Sequence, residues 1–187
     1  MSNNKMRCAW CGNDELYMKY HDEEWGTPVR DDQKLFEFLI LETFQAGLSW
    51  ITILRKRENF SKAFDDFDYK KVANYDEEKI GQLMRDAGII RNGAKIKAAV
   101  ANAIAFMEVQ KEFGSFSNYI WKFTEGRPIV NYPVTLQDVP ATTPLSDEIS
   151  KDLKKRGFKF VGSTVIYAHM QATGMVDDHV VDCWRKK

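Results

Sequence analysis

Cysteine and proline are scarce in this chain, membrane-length apolar runs are absent, and neither sign of charge is in excess. Three cysteines among 187 residues are odd in number and widely spread, which excludes a disulfide framework. With no secretory leader in view, they predict a reducing, cytoplasmic setting. The longer apolar stretches, such as Phe38-Leu39-Ile40-Leu41, fall far short of a bilayer and predict no membrane partner. Lysine plus arginine and aspartate plus glutamate each number 27, so formal net charge is zero and any polyanion site has to be local. Of five prolines, four fall between Arg127 and Pro144, which leaves the remainder free to form helix. A chain of this length buries a full core, and residues 1–187 are expected to form one domain, with two lobes sharing a cleft and a monomeric state.

What is present is helical periodicity. Asp31 and Asp32 are candidate N-caps for an amphipathic helix carrying Leu35, Phe36, Leu39, Ile40 and Thr43, with one of Phe36 and Phe38 expected to face the core. Gly47 interrupts the pattern, so Gln45-Ala46-Gly47-Leu48 is predicted to be a tight bend before a helix starting near Ser49. A third helix opens at Asp76 and stops at Gly88, which suits a left-handed cap. A fourth covers Ala94 to Phe113 and ends at Gly114, and Ser115 caps the next through Trp121. The proline-rich stretch is read as an extended connection before helices from Ser146 to Gly157 and from Ser163 to Gly174. No segment alternates over strand length, and the fold class is all-α.

Four side chains have the chemistry of a zinc site: Cys8 and His21 near the start, His179 and Cys183 near the end. The last two stand four apart, on one face of a predicted helical turn, whereas twelve residues separate the first two. The set reads either as a clip joining the termini or as two buried thiols and two surface imidazoles, with Cys11 left over. Aromatic residues crowd the first fifty positions, and Trp10, Tyr17, Tyr20 and Trp25 lie beside the N-terminal pair. A zinc clip would draw these four toward the C-terminal helices and make a flat pocket, at whose rim Glu42 can accept from an exocyclic amine. Alternatively, Glu42 is an exposed helix residue paired with Arg55 or Lys56. The segment from Asp86 to Ile96 is either a plain helical connection or a hairpin whose N–H groups, with Arg91 or Lys95, hold a phosphate.

Together these segments resemble the 3-methyladenine DNA glycosylase I family of bacterial base-excision repair, nearly end to end. The resemblance is carried by Cys8-Ala9-Trp10, Tyr20-His21-Asp22-Glu23-Glu24-Trp25-Gly26, Leu41-Glu42, Gln45-Ala46-Gly47-Leu48-Ser49-Trp50, the Ala87-to-Ile96 hairpin, Lys154-to-Gly162 and Asp178-to-Cys183. It implies a helix-hairpin-helix glycosylase fold with two helical lobes around a base pocket, and a structural Zn2+ on Cys8, His21, His179 and Cys183. It also implies hydrolysis of the N-glycosidic bond of 3-methyladenine, flipped from alkylated double-stranded DNA, with free 3-methyladenine and an abasic site as products.

The implied roles follow residue by residue. The base lies against Trp10 and Trp50, Tyr17, Tyr20 and Trp25 line the pocket, and Glu42 and Tyr20 read the polar edge. Glu42 is also the candidate catalytic group. Gln45, Gly47 and Leu48 fill the gap in the duplex, while Gly88, Arg91 and Lys95 contact the backbone. Many relatives in the wider superfamily carry an aspartate after the hairpin; here none occurs between Asp86 and Asp138. A methylated, cationic adenine is already a good leaving group, so this absence agrees with a narrow enzyme. Two departures are Asn92-Gly93-Ala94, where a basic residue is common, and Ala168-His169, where serine and an aromatic are common. His169 is either a packed histidine or a further catalytic group. A binding module that never cuts, and a hydrolase with catalytic zinc, are the competing readings; four protein ligands leave no open position for the latter.

Overall fold

The computed structural model describes residues 5–186. Capping residues set the helix starts. α1 (Glu15–Glu23) opens behind Asp14, which accepts from the Tyr17 N–H, and α2 (Asp32–Gln45) behind Asp31, which accepts from Lys34. Then come α3 (Trp50–Ala63), the single turn α4 (Tyr69–Val72), α5 (Glu77–Arg85) and α6 (Gly93–Phe113). Gly114 takes φ +79° after α6, where a side chain is disfavoured, and Ser115 caps α7 (Phe116–Trp121). α8 (Pro144–Lys155) starts with proline in its first turn behind Thr143, and α9 (Ser163–Ala172) follows.

The fold is mostly helical, as expected, and it departs from the sequence reading in five places. α1 and α4 are additional helices. β1 (Ile129–Val130) and β2 (Val176–Asp177) form a parallel pair, too short to leave an alternating signal. Residues His179 to Cys183 form turns and coil rather than a helical turn. Gly88 is outside the left-handed region; its N–H donates to Asp86 Oδ1 at 2.7 Å, and a side chain there would crowd Asn59. Phe36 and Phe38 are both buried, because α2 is covered on nearly every side from Leu35 to Phe44.

That burial makes α2 the axis of the molecule. It touches α3, α6, α7 and α9, while α4 and α5 pack on α6, and α8 packs on α9. Two helical groups therefore flank one central helix. Phe36 meets Phe106 edge to face at 5.2 Å, and Phe106 stacks on Phe116 at 4.1 Å. Asp32 ties the N-terminal end: its carboxylate accepts from the N–H groups of Phe116 and Ser117, at 2.9 and 2.8 Å, and from Gln110 at 2.6 Å. The other end of α2 leads into the site.

Candidate active site and metal centre

Glu42 lies one turn before the end of α2, and its side chain lines a cavity of about 720 Å³. Burial pushes its carboxyl up to about 8, so the neutral acid predominates at pH 7. Its Oε2 is buried with no hydrogen-bond partner, and the indole Nε1 atoms of Trp10 and Trp50, which line the same cavity, are buried and unpartnered too. Glu42 is thus not the exposed partner of Arg55 or Lys56. Arg55 pairs with Asp14 at 2.7 Å, and Lys56 donates to the Ala87 and Gly88 carbonyls. Each buried polar atom without a partner costs on the order of 1–3 kcal/mol. Three around one aromatic-walled cavity mark a place where a ligand supplies the missing bonds.

The walls come from three directions. Trp10 sits in a 3-10 turn, with ring centroids 4.9 Å from Tyr17, 6.2 Å from Tyr20 and 5.0 Å from Trp25. Trp50 opens α3 and meets Tyr20 at 5.5 Å. All six residues proposed for the base, and Gln45, line this one cavity. Sequence reasoning missed the opposite wall, formed by Val134 to Ala141 and by Tyr167, Gln171 and Asp178. Asp178 is buried there under three donors: Tyr167 Oη at 2.7 Å, and Gln171 Nε2 and Asn131 Nδ2 both at 2.8 Å. Its place beside His179 was the available signal; the proline-rich loop carried none.

The metal candidates lie directly behind the aromatic wall. Ligand atoms of Cys8, His21 and Cys183 all lie within 4.8 Å of one another, and all three residues are buried. His179 stands outside that tight group, but its ring is 5.1 Å from the His21 ring and its Nε2 is buried without a partner. Both histidines are oriented by carboxylates: His21 Nδ1 is 2.9 Å from Asp22 Oδ1, and His179 Nδ1 is 2.7 Å from Asp177 Oδ1. Such pairs fix the ring and aim its other nitrogen at the cluster, where His21 Nε2 accepts from the Cys8 N–H at 3.3 Å and lies 3.4 Å from Cys183 Sγ. Arg7 and Trp184 hydrogen-bond Asp22, and with the His21 contact they outweigh its burial and keep its carboxyl well below the usual range. Burial lowers His21 and pushes the Cys8 thiol, next to Cys183, up to about 12. A neutral imidazole and thiols whose protons a cation would displace are the donor chemistry zinc takes. Gly26 has φ +72°, and a Cβ there would come within 2.7 Å of His179 Cε1, so glycine lets the chain pass over this ring.

From Gln45 on the cavity wall, the bend to Leu48 leads to the surface. Gly47 adopts φ +84°, Leu48 is 41% exposed, and the Leu48 N–H donates to the Gln45 carbonyl. The hairpin between α5 and α6 exposes Arg91, which makes no ion pair among the described residues, and Asn92 caps α6 by accepting from the Lys95 N–H. Lys95 is a correction. Its side chain is buried, and Nζ donates to the Phe44 and Ala46 carbonyls at 2.9 and 2.7 Å, so its ammonium is not free for a phosphate.

Comparison with known proteins decides the family of the chain. A family model for methyladenine glycosylase matches residues 10–186. The chain belongs to the methyladenine glycosylase family. As a member it is an enzyme of base excision, acting on 3-methyladenine. DNA-3-methyladenine glycosylase 1 of Escherichia coli (strain K12) is 50% identical to it over 177 residues, 95% of each chain. A crystal structure of a 3-methyladenine DNA glycosylase I aligns with TM-score 0.95 at 46% identity, over 97% of this chain and 100% of that one. A variant 3-methyladenine DNA glycosylase I in complex with 3-methyladenine aligns with TM-score 0.94 at 36% identity, over 97% of both chains.

The two neighbours on α9 expected from the sequence to depart from the family pattern separate. Ala168 lines the cavity. His169 is buried with Nε2 3.2 Å from the Leu35 carbonyl, and burial depresses it to about 4. It is a neutral packing residue joining α9 to α2. No helix of the glycosylase, among the described residues, is long and apolar enough to cross a membrane.

Proposed function

We propose that the chain hydrolyses the glycosidic bond of 3-methyladenine after the base has been flipped from alkylated double-stranded DNA into the Glu42 cavity, leaving an abasic site. The observation that carries this reading is the cluster of unpartnered polar atoms, Glu42 Oε2 and the Trp10 and Trp50 N–H groups, set in aromatic walls. A flat heteroaromatic ring with donors and acceptors on its edge meets all of these needs at once. The lesion is a cation. On entering, it brings the positive charge that Glu42 lacks and favours the carboxylate, so the proton held up to about pH 8 is released as the base binds.

Trp10 and Trp50 take the faces of the base, Tyr17, Tyr20 and Trp25 close the walls, and Glu42 with Tyr20 reads its edge. Because the base leaves as a neutral molecule, binding and extrusion supply most of the rate, and Glu42 acts chiefly in recognition. Among the described residues no lysine lines the cavity to form a Schiff base, in keeping with a monofunctional enzyme. Gln45, Gly47 and Leu48 wedge the duplex, and the hairpin at Gly88 and Arg91 holds its backbone. Zn2+ on Cys8, His21, His179 and Cys183 supplies structure rather than chemistry, clipping the termini behind Trp10 and Trp25. The protein works as one domain, as a monomer, in the cytoplasm.

Chromatography of bases released from methylated duplex DNA tests this reading. Wild type is expected to release 3-methyladenine and leave 7-methylguanine in place, and Glu42→Gln to release less. Stoichiometric binding of methylated DNA with no free base above the spontaneous rate would replace the enzyme with the binding-module reading.

A further inference from the structure

Lys95 is the third residue of α6 and only 6% exposed, yet it makes no ion pair among the described residues. A buried ammonium without a carboxylate needs strong acceptors, and Lys95 finds them at the far end of another helix. The last carbonyls of α2 have no donor within that helix, and the chain leaves it abruptly, Ala46 taking φ −48° and ψ 117°. Lys95 Nζ donates to Phe44 O at 2.9 Å and Ala46 O at 2.7 Å, so the cation sits at the negative end of the α2 dipole and fixes the first step of the bend. Its own N–H is held at 3.1 Å by Asn92, the cap residue in the hairpin. One residue thereby joins the segment facing the DNA backbone to the segment carrying Gly47 and Leu48.

We propose that Lys95 is a positioning residue for base extrusion: it sets the Gln45–Leu48 bend and transmits the hairpin's grip on the backbone to that wedge. The inference rests on the reading of the bend as a wedge. Lys95 does not line the base cavity, so its loss separates extrusion from base recognition. An isosteric apolar side chain leaves the Phe44 and Ala46 carbonyls without this donor and lets the bend move, while the pocket built on Trp10, Tyr20 and Glu42 keeps its shape.

The test compares Lys95→Met, Lys95→Arg, Leu48→Ala and Glu42→Gln with wild type by two readouts. These are excision of 3-methyladenine from methylated duplex DNA and affinity for free 3-methyladenine, measured by quenching of tryptophan fluorescence. Lys95→Met is expected to lower excision about tenfold, the scale of one lost charge-assisted hydrogen bond, Leu48→Ala to lower it too through loss of the wedge, and both to hold free-base affinity within about twofold. Lys95→Arg, which keeps the donors, recovers most of the excision. A parallel loss of free-base affinity in Lys95→Met shows general loosening and overturns the inference, as does full excision. Reduced excision in Lys95→Met with Leu48→Ala normal also overturns it, since Lys95 then acts elsewhere. If both variants excise normally, the wedge reading falls and takes the inference with it. Glu42→Gln must lose free-base affinity; if it does not, the pocket reading has failed, separately from Lys95. Should Lys95→Met prove unfolded by circular dichroism, Lys95→Gln is read in its place by the same criteria.

Discussion

The two ends of α2 each hold a carboxyl group, half-buried in Asp32 and buried in Glu42, and they treat it in opposite ways. Asp32 at the start is met by three donors from α6 and α7. Glu42 near the finish is buried more deeply and has an oxygen with no partner. One acid completes the fold; the other is left incomplete and faces a cavity. Folding alone gives no reason to leave a carboxyl unsatisfied on the helix that organises the core, because the same helix shows how a satisfied one is built. The unmet need at Glu42 is therefore a property of the site, and it costs stability for the sake of binding. The termini repeat the contrast, with His179 Nδ1 held by Asp177 and Nε2 left without a partner.

Ways to break this comparison can be ranked by effect. The largest is at the termini: removing metal with a chelator, or substituting Cys183→Ser, is expected to cost several kcal/mol in a denaturant melt, because a metal bound only by the fold stabilises it directly. A melt indifferent to zinc would leave the His179 nitrogen without its explanation. Next is Asp32→Ala, which removes the acceptor of the first two N–H groups of α7 and of Gln110 and leaves three donors unmet. A loss of about 3 kcal/mol in urea unfolding is expected, and a loss below about 1 kcal/mol would erase the distinction between the two acids.

Glu42→Gln should behave in the opposite sense. The pKa of Glu42 in the fold, about 8, lies above the ordinary 4.5. Its contribution thus favours the fold below pH 4.5 and is lost as pH rises towards 8. Glutamine does not titrate, so the variant is expected to match wild type near pH 5 and to be more stable by about 2 kcal/mol at pH 8, a discounted share of that linkage. Thermal melts across this range would show the gap opening with pH; a gap that closes would mean Glu42 is held ionised. The smallest change is Ala168→Ser, which adds a hydroxyl to the cavity wall and is expected to alter kcat/KM for methylated DNA by no more than about threefold.

Much of this was legible before any coordinates, and the illegible parts share a cause. Gly114 and Ser115 mark the end of α6 and the start of α7 because capping is local chemistry, and the bend at Gly47 is equally local. The burial of α2 was not legible as such: Glu42 read equally as an exposed helix residue paired with Arg55 or Lys56, although it points into a cavity. Lys95 read as a surface cation because its acceptors are carbonyls about fifty positions away, which no local pattern encodes. The turn at His179 to Cys183 mimicked helical spacing, since four-residue separation serves a coiled tail as well. Trp10, Tyr20, Glu42 and Trp50 were recognisable as a set through family resemblance rather than periodicity. The wall from Val134 to Ala141 carries no chemistry-bearing motif and appeared only with the fold.

The most direct test of the account is the infrared carboxyl stretch of Glu42, taken as the difference between wild type and Glu42→Gln from pH 5 to 10, with and without 3-methyladenine. The account predicts a protonated carboxyl band in the free protein that persists to about pH 8 and changes when the base binds, since the ligand then meets an oxygen that had no partner. An ionised Glu42 throughout that range, or a band indifferent to 3-methyladenine, would contradict it.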